Sequence, residues 1–188
     1  MAIIQSLFSS SYQFAPSGLI LNGAEGTCNN PINGLFKRVY DGYFADNVAF
    51  FDTATITSTD ADTVVEMSNV GTGYSVQWTG YWVVPSTGIY TFNTTSDDAS
   101  YLWLGNNAKS GYTTSNAIVN NGSAHGPATV NSLSYAMTAG DYYPIRIQFG
   151  QDGGGDLFNM QISYNNGNYN PLSSFTIVYS SGTAEGFN

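Results

Sequence analysis

Apolar and polar side chains alternate over short stretches of this chain, and a helical period of three to four is almost nowhere sustained. The clearest alternation is Tyr74-Ser-Val-Gln-Trp-Thr-Gly-Tyr-Trp-Val-Val84. It predicts a strand that turns Tyr74, Val76 and Trp78 toward one side, continued by Tyr81 or Val83, with Gly80 as a bulge. Pro85-Ser-Thr-Gly88 then makes a turn. Further strands are predicted at Phe50 to Thr57, Ile89 to Thr95, Tyr101 to Leu104, Ala117 to Val119, Val130 to Met137, Tyr142 to Phe149, Leu157 to Tyr164 and Phe175 to Tyr179. Glycine, asparagine and serine sit at the joints. The pattern indicates an all-β chain, an antiparallel β-sandwich of about ten strands. Residues 1–30 are less regular and are expected to form an N-terminal arm or edge segment, with one sandwich domain over 31–188.

Length and composition narrow the class. With 188 residues the chain is long enough for one domain with a real core. Charged residues are 9%, whereas hydrophobic and aromatic residues are 42% and 15%, so the chain folds and covers its surface with Ser, Thr, Asn and Gly. That surface is the kind found on extracellular and virion proteins. The net charge of −9 is opposed only by Lys37, Arg38, Lys109 and Arg146. So few cations exclude a nucleic-acid partner and docking to anionic membranes, while an acidic surface concentrates divalent cations. No run has the length of a membrane-spanning helix. Cys28 is the single cysteine, so no intrachain disulfide forms, and it is expected to be a small buried or idle thiol, with intermolecular pairing as the alternative. The N-terminus lacks a basic region and a cleavage site, so the chain is read as a segment of a longer exported protein or as a complete protein released by another route, such as assembly onto a virus particle.

The candidate chemistry lies in two acidic places. Asp97 and Asp98 are adjacent between strand-like runs, and Gly150-Gln-Asp-Gly-Gly-Gly-Asp156 follows the strand ending at Phe149. Neighbouring side chains of an extended strand point to opposite faces, so both carboxylates meet one ion only if a sharp turn or a cis peptide separates them. Calcium is hard, takes about six to eight oxygens and uses backbone carbonyls readily, so two carboxylates alone do not satisfy it. Three consecutive glycines allow the second loop to turn its carbonyls inward.

The run SVQWTGYWVVPSTGIYTFNTTSDDASYLWLG carries a resemblance. Trp78-Thr-Gly-Tyr81, Pro85, Gly88-x-Tyr90-x-Phe92, Asp97-Asp98 and Trp103-x-Gly105 resemble the signature of the protective-antigen domain family, a β-sandwich module of toxins, glycosidases, flocculins and adhesins. Gly140, Tyr142, Tyr143, Pro144 and Ile145 resemble its later strand pair, and the likeness spans roughly Gly34 to Tyr179. It looks closest to the flocculin/GLEYA and bacterial adhesin branch. The resemblance implies a cis Asp97-Asp98 bond and a Ca2+ site made by Asp97, Asp98, the side chain of Gln151 and the carbonyls of Gly153 and Gly155. Fungal members usually have Asn where this chain has Gln151, a longer arm with the same oxygen. It does not fix the role of Asp152 and Asp156, which ligate the ion, accept sugar hydroxyls or face solvent.

Function follows as an expectation. Vicinal hydroxyls of a hexose would complete the coordination of the ion, with Asp97, Asp98, Asp152 and Asp156 accepting hydroxyl hydrogen bonds and Tyr112 as an aromatic stacking candidate. Trp103 is assigned to the core and His125, the only histidine, to a surface loop. No triad, phosphate loop or zinc signature is present, and acids gathered around a cation stay ionised, which opposes a glycosidase general acid. The chain is therefore read as a non-enzymatic, calcium-dependent carbohydrate-binding adhesion module at a cell or virion surface, with other subunits of a parent adhesin or particle as further partners. The alternative is a structural or decoration protein of a virion or surface layer that uses the same fold for protein contacts.

Overall fold

The computed structural model describes residues 18–25, 28–181 and 187. In chain order its strands are β1 (Leu19–Ile20), β2 (Pro31–Asn33), β3 (Leu35–Asp41), β4 (Ile56–Asp62), β5 (Met67–Ser68), β6 (Tyr74–Val83), β7 (Gly88–Asp97), β8 (Ser100–Leu104), β9 (Val119–Asn121), β10 (Ala128–Asn131), β11 (Tyr135–Met137), β12 (Tyr142–Gln151), β13 (Leu157–Tyr164), β14 (Tyr169–Pro171) and β15 (Ile177–Ser180). Two single-turn helices, α1 (Phe50–Thr53) and α2 (Asn106–Lys109), lie between them. The strands make two sheets. One runs β1-β11-β7-β13-β14, with β10 also on β7 and β5 on β13; the other runs β2-β15-β6-β12-β8-β9, with β3 on β6 and β4 on β3. All pairs are antiparallel except β1 with β11.

The main core lies between the sheets and is dominated by rings. Trp78, Trp82, Tyr90, Phe92, Phe149 and Phe158 are all fully buried in it, with Trp78 stacked on Phe158 at 5.1 Å between centroids and Trp82 edge-on to Phe92. Alternation along β6 runs unbroken through Gly80, so Trp82 and Val84 follow Trp78 into the core, in place of the expected Tyr81 or Val83. Gly80 is not a bulge. It pairs in register with Ile145, and it is glycine because β3 hands over to β15 on the same edge of β6 at this point. A Cβ there would lie 2.6 Å from the Val178 carbonyl oxygen.

A second apolar cluster, Tyr40, Phe44, Phe51, Tyr101 and Trp103, covers the outer face of the larger sheet. Alternate residues of β8, Leu102 and Leu104, point into the main core, so this strand is buried on both faces. Phe50 and Phe51 belong to α1 and not to the predicted strand at Phe50 to Thr57; Phe51 is pressed between Tyr40 and Phe44, and the strand starts later, at Ile56. The predicted strand Val130 to Met137 is two strands, because Ser132 leaves the sheet line: its Oγ accepts the Phe92 N–H at 3.0 Å while its own N–H reaches the Phe92 carbonyl. Strand β9 begins at Val119, where the predicted one ended, since Thr114–Asn116 forms a turn of 3-10 helix. Strand β3 carries Lys37 and Arg38 and was not predicted; Arg38 lies over the Phe36 ring and Lys37 pairs with Asp62.

Residues 1–17 of the predicted arm lie outside the described residues. Of the remainder, β1 adds a parallel strand to the smaller sheet and Glu25 makes a backbone bridge to Tyr142. Cys28 is buried. Among the described residues no helix is long and apolar enough to cross a membrane.

Candidate metal and saccharide site

Strand β7 ends at Asp97 and β8 begins at Ser100, so the two aspartates occupy the turn between the two sheets. Strand β12 pairs with β8 at Phe149 and Ser100, and the Gly150 N–H then donates to the Ala99 carbonyl at 2.9 Å. This register sets the loop Gly150 to Asp156 beside the Asp turn. The Asp97–Asp98 peptide is cis.

Asp98 is 5% exposed and holds three segments together. Its Oδ1 accepts the backbone N–H of His125 and its Oδ2 that of Asp152, each at 2.9 Å. Asp97 is partly exposed, and its carboxyl is pushed above the usual range by partial burial and then by the negative charges of Asp98 and Asp156, with His125 opposing. Crowded carboxylates of this kind are stabilised in the ionised form by a cation.

Gln151 is fully buried in the base of the loop. Its amide nitrogen donates to the carbonyls of Gly153 at 2.9 Å and Gly155 at 3.3 Å, and its Oε1 is buried with no hydrogen-bond partner. Gly154, at φ +88°, makes the turn that lets both carbonyls face the same amide. The two ends of an amide are nearly isosteric, and their assignment follows from their partners. Turned by half, Gln151 would direct Oε1 at the two carbonyls, an arrangement of three oxygens that a hard cation satisfies and no protein donor here does. The orphaned oxygen, the converging carbonyls and the adjacent carboxylates thus fit calcium. Among the described residues no group of three or more His, Cys, Asp or Glu side chains gathers as a metal cluster; the candidate oxygens here are two carboxylates, one amide and two backbone carbonyls.

A third loop, with no distinctive pattern in the sequence, closes one side. A Cβ on Gly150 would run into the Phe44 ring and come within 2.9 Å of Tyr43 Cδ2, so the glycine permits the loops to touch. Asp46 accepts the Tyr101 hydroxyl at 2.8 Å and the Ser123 N–H at 3.0 Å, which anchors the segment carrying His125. The Tyr43 hydroxyl is pushed up to about 12 by burial and then by the charges of Asp46, Asp98 and Asp152. Residue type alone points to none of these three contacts, because His125 and Ser123 contribute main-chain donors and Asp46 is one acid in a loop.

The remaining predicted residues are placed as follows. Asp152 is exposed, and its backbone, not its carboxylate, is bonded to Asp98. Asp156 is buried; its Oδ2 accepts the Tyr74 hydroxyl at 2.6 Å and the Val70 N–H at 2.8 Å. Burial raises its carboxyl, but those hydrogen bonds, with the backbone N–H groups of Asp156 and Asn69, outweigh it and hold the group below the usual range. Tyr112 is not brought to this cluster. It packs edge-on to Trp103, stacks under the Arg146 guanidinium at 4.0 Å and points its hydroxyl at Asp52. Trp103 lies three residues along β8 from Ser100, roughly 10 Å in an extended strand and away from the Asp turn. It is buried in the second cluster, as expected of a core residue.

Comparison with known proteins agrees with this architecture. The PA14 domain of the MpAFP antifreeze protein has TM-score 0.63 and 18% identity, covering 85% of this chain and 97% of that one. The A domain of epithelial adhesin 6 from Candida glabrata, solved in complex with Galb1-3GlcNAc, has TM-score 0.63 and 17% identity over 89% of this chain and 96% of that one. An anti-sigma factor domain-containing protein from Clostridium clariflavum has TM-score 0.62 and 19% identity over 88% of this chain. The chain spans about half the length of the anti-sigma factor domain-containing proteins it matches. At these identities the likeness is one of fold. No curated protein matches the chain. The GLEYA domain profile matches residues 74–180, more than half of the sequence, and the chain belongs to the GLEYA domain family.

Proposed function

We propose that this GLEYA domain is a calcium-dependent carbohydrate-binding adhesion module that recognises vicinal hydroxyls of hexoses on cell-surface glycans. The observation that carries the reading is the buried Gln151 amide, closed on by the carbonyls of Gly153 and Gly155 with its own oxygen unpaired, beside Asp97 and Asp98. Asp97, Asp98, Gln151 and the carbonyls of Gly153 and Gly155 would hold the ion. Bound there, calcium supplies coordination positions to sugar hydroxyl oxygens. The chain's own groups do the rest. Asp98, fixed by two backbone donors, orients the cluster; Asp97 and the exposed Asp152 accept hydrogen bonds from hydroxyls. Asp156, engaged by Tyr74 and Val70, shapes the loop from behind.

The ligand class draws support from the family and from the adhesin 6 domain, whose fold this chain shares and whose bound ligand is a galactosyl disaccharide. The role is binding, not catalysis: the acids are gathered where a cation keeps them ionised, which is the opposite of what a glycosidase acid requires. A cell-surface location accords with that role. A glycan array probed in calcium and again in chelator tests the reading. Binding that chelator abolishes is expected, and an array blank in both conditions sinks it.

A further inference from the structure

The smaller sheet carries a groove of about 310 Å3 at the edge of β13 away from β7, the strand that ends in Asp97. Leu157, the cross-strand partner of Asp97, lies at one end of it, and Asn159 and Gln161 follow on the same face of β13 while Phe158, Met160 and Ile162 point into the core. The groove follows from how the outer edge of β13 is shared. Strand β5 pairs with Leu157 and Phe158, β14 pairs with Gln161 to Ser163, and neither pairs with Asn159 or Met160. Glu66 and Ser68 from the β5 side and Pro171 from β14 line the two flanks.

The polar side chains here are unspent. Among the described residues the side chains of Glu66, Ser68, Asn159 and Gln161 make no hydrogen bond to another protein group, and Asn159 Oδ1 is buried without a partner. No lysine or arginine lines the groove, so it has nothing to offer a phosphate or sulfate. One carboxylate, two amides and one hydroxyl beside apolar Met67, Leu157, Phe158 and Pro171 match a ligand that both donates and accepts along its rim and has C–H faces between. That is the chemistry of a pyranose ring. From Leu157 to Gln161 the strand advances about 13 Å, longer than a single ring needs.

We propose that this groove is a second saccharide subsite, reached from Asp97 across Leu157, so that the domain takes an oligosaccharide lying along β13 and not only a terminal hexose. The inference rests on the function proposed above. It is tested on isotope-labelled protein in calcium by following the backbone signals of Asp98 and Gly153 to Gly155 together with the side-chain amides of Asn159 and Gln161. The probes are tetrasaccharides ending in galactose, glucose or mannose, with the corresponding methyl glycosides as single-ring ligands. With at least one tetrasaccharide both sets of signals move, and with its methyl glycoside only the loop set moves. A double variant, Asn159→Ala with Gln161→Ala, weakens that tetrasaccharide by about tenfold and leaves the methyl glycoside unchanged. If the tetrasaccharide moves the loop set alone, or binds the variant as well as the wild type, the groove is not a subsite and the calcium reading stands. If neither set moves with any probe, both readings fall.

Discussion

The Asp98 carboxylate accepts the backbone N–H of Asp152 at 2.9 Å, so an acid in the turn between the two sheets fixes the start of the glycine loop 54 residues later in the chain. Its other oxygen fixes His125. Replacing Asp98 by Ala removes two charge-assisted bonds and is expected to cost on the order of 2 kcal/mol in urea unfolding with chelator present, before calcium enters the comparison. Asp98→Asn, which keeps one acceptor oxygen, should lose less. An Asp98→Ala protein as stable as wild type in chelator would show that the carboxylate does not hold the loops.

Gln151 separates a metal role from a packing role. In Gln151→Glu a buried carboxylate faces the carbonyls of Gly153 and Gly155 with no donor, which without calcium should destabilise the fold by about 1–3 kcal/mol. With saturating calcium the added charge becomes a ligand, so the variant should recover and show a larger calcium-induced rise in Tm than wild type. Equal melting behaviour of the variant in both conditions would place the ion elsewhere.

Tyr112 belongs to the cover of the larger sheet. Arg146, 2% exposed, is bonded to Gln77 at 2.6 Å and to the Ala108 carbonyl, and the Tyr112 ring closes over its guanidinium. Tyr112→Ala should lower stability by about 2–4 kcal/mol, through lost ring burial and a less shielded Arg146, and leave sugar affinity within about twofold. A selective loss of sugar binding with normal stability would return Tyr112 to the site.

Asp62 gives a pH signature away from the loops. Burial raises its carboxyl, but the N–H groups of Val65 and Val64, the Trp78 indole and Lys37 together hold it below the usual range. A depressed folded-state value means that its stabilisation is complete above the unfolded carboxylate value, about 3.9, and is lost as pH falls through the folded one. Asp62→Ala should therefore cost about 1–3 kcal/mol at pH 7 in urea unfolding, and its deficit relative to wild type should shrink below about pH 4. A deficit that stays constant from pH 7 to pH 3 would contradict this.

The two halves of the candidate site were legible because their residue types are unusual in place: two acids at a strand end, and three glycines between acids. The sandwich was legible for the same strands whose faces differ, such as β6 and β13. Where residue types do not alternate, pattern fails. Phe50 and Phe51 form one helical turn whose rings fill the second cluster, and an aromatic pair of that kind reads equally well as strand. The contributions of Tyr43, Asp46 and His125 were not legible, since they arise from strand register and from main-chain donors. Tyr112 was an aromatic near a loop, and nothing local told that Arg146, brought by β12, would claim its face.

Calcium binding itself is tested most directly by melting the wild-type domain over a calcium titration, with Asp97→Ala alongside. A ligand that binds only the folded state stabilises by RT ln(1 + [L]/Kd), about 2.7 kcal/mol at a hundredfold excess over Kd. The wild-type Tm is expected to climb steadily with the logarithm of calcium concentration, and the variant's to stay flat. A wild-type Tm that does not change between chelator and millimolar calcium would contradict the site.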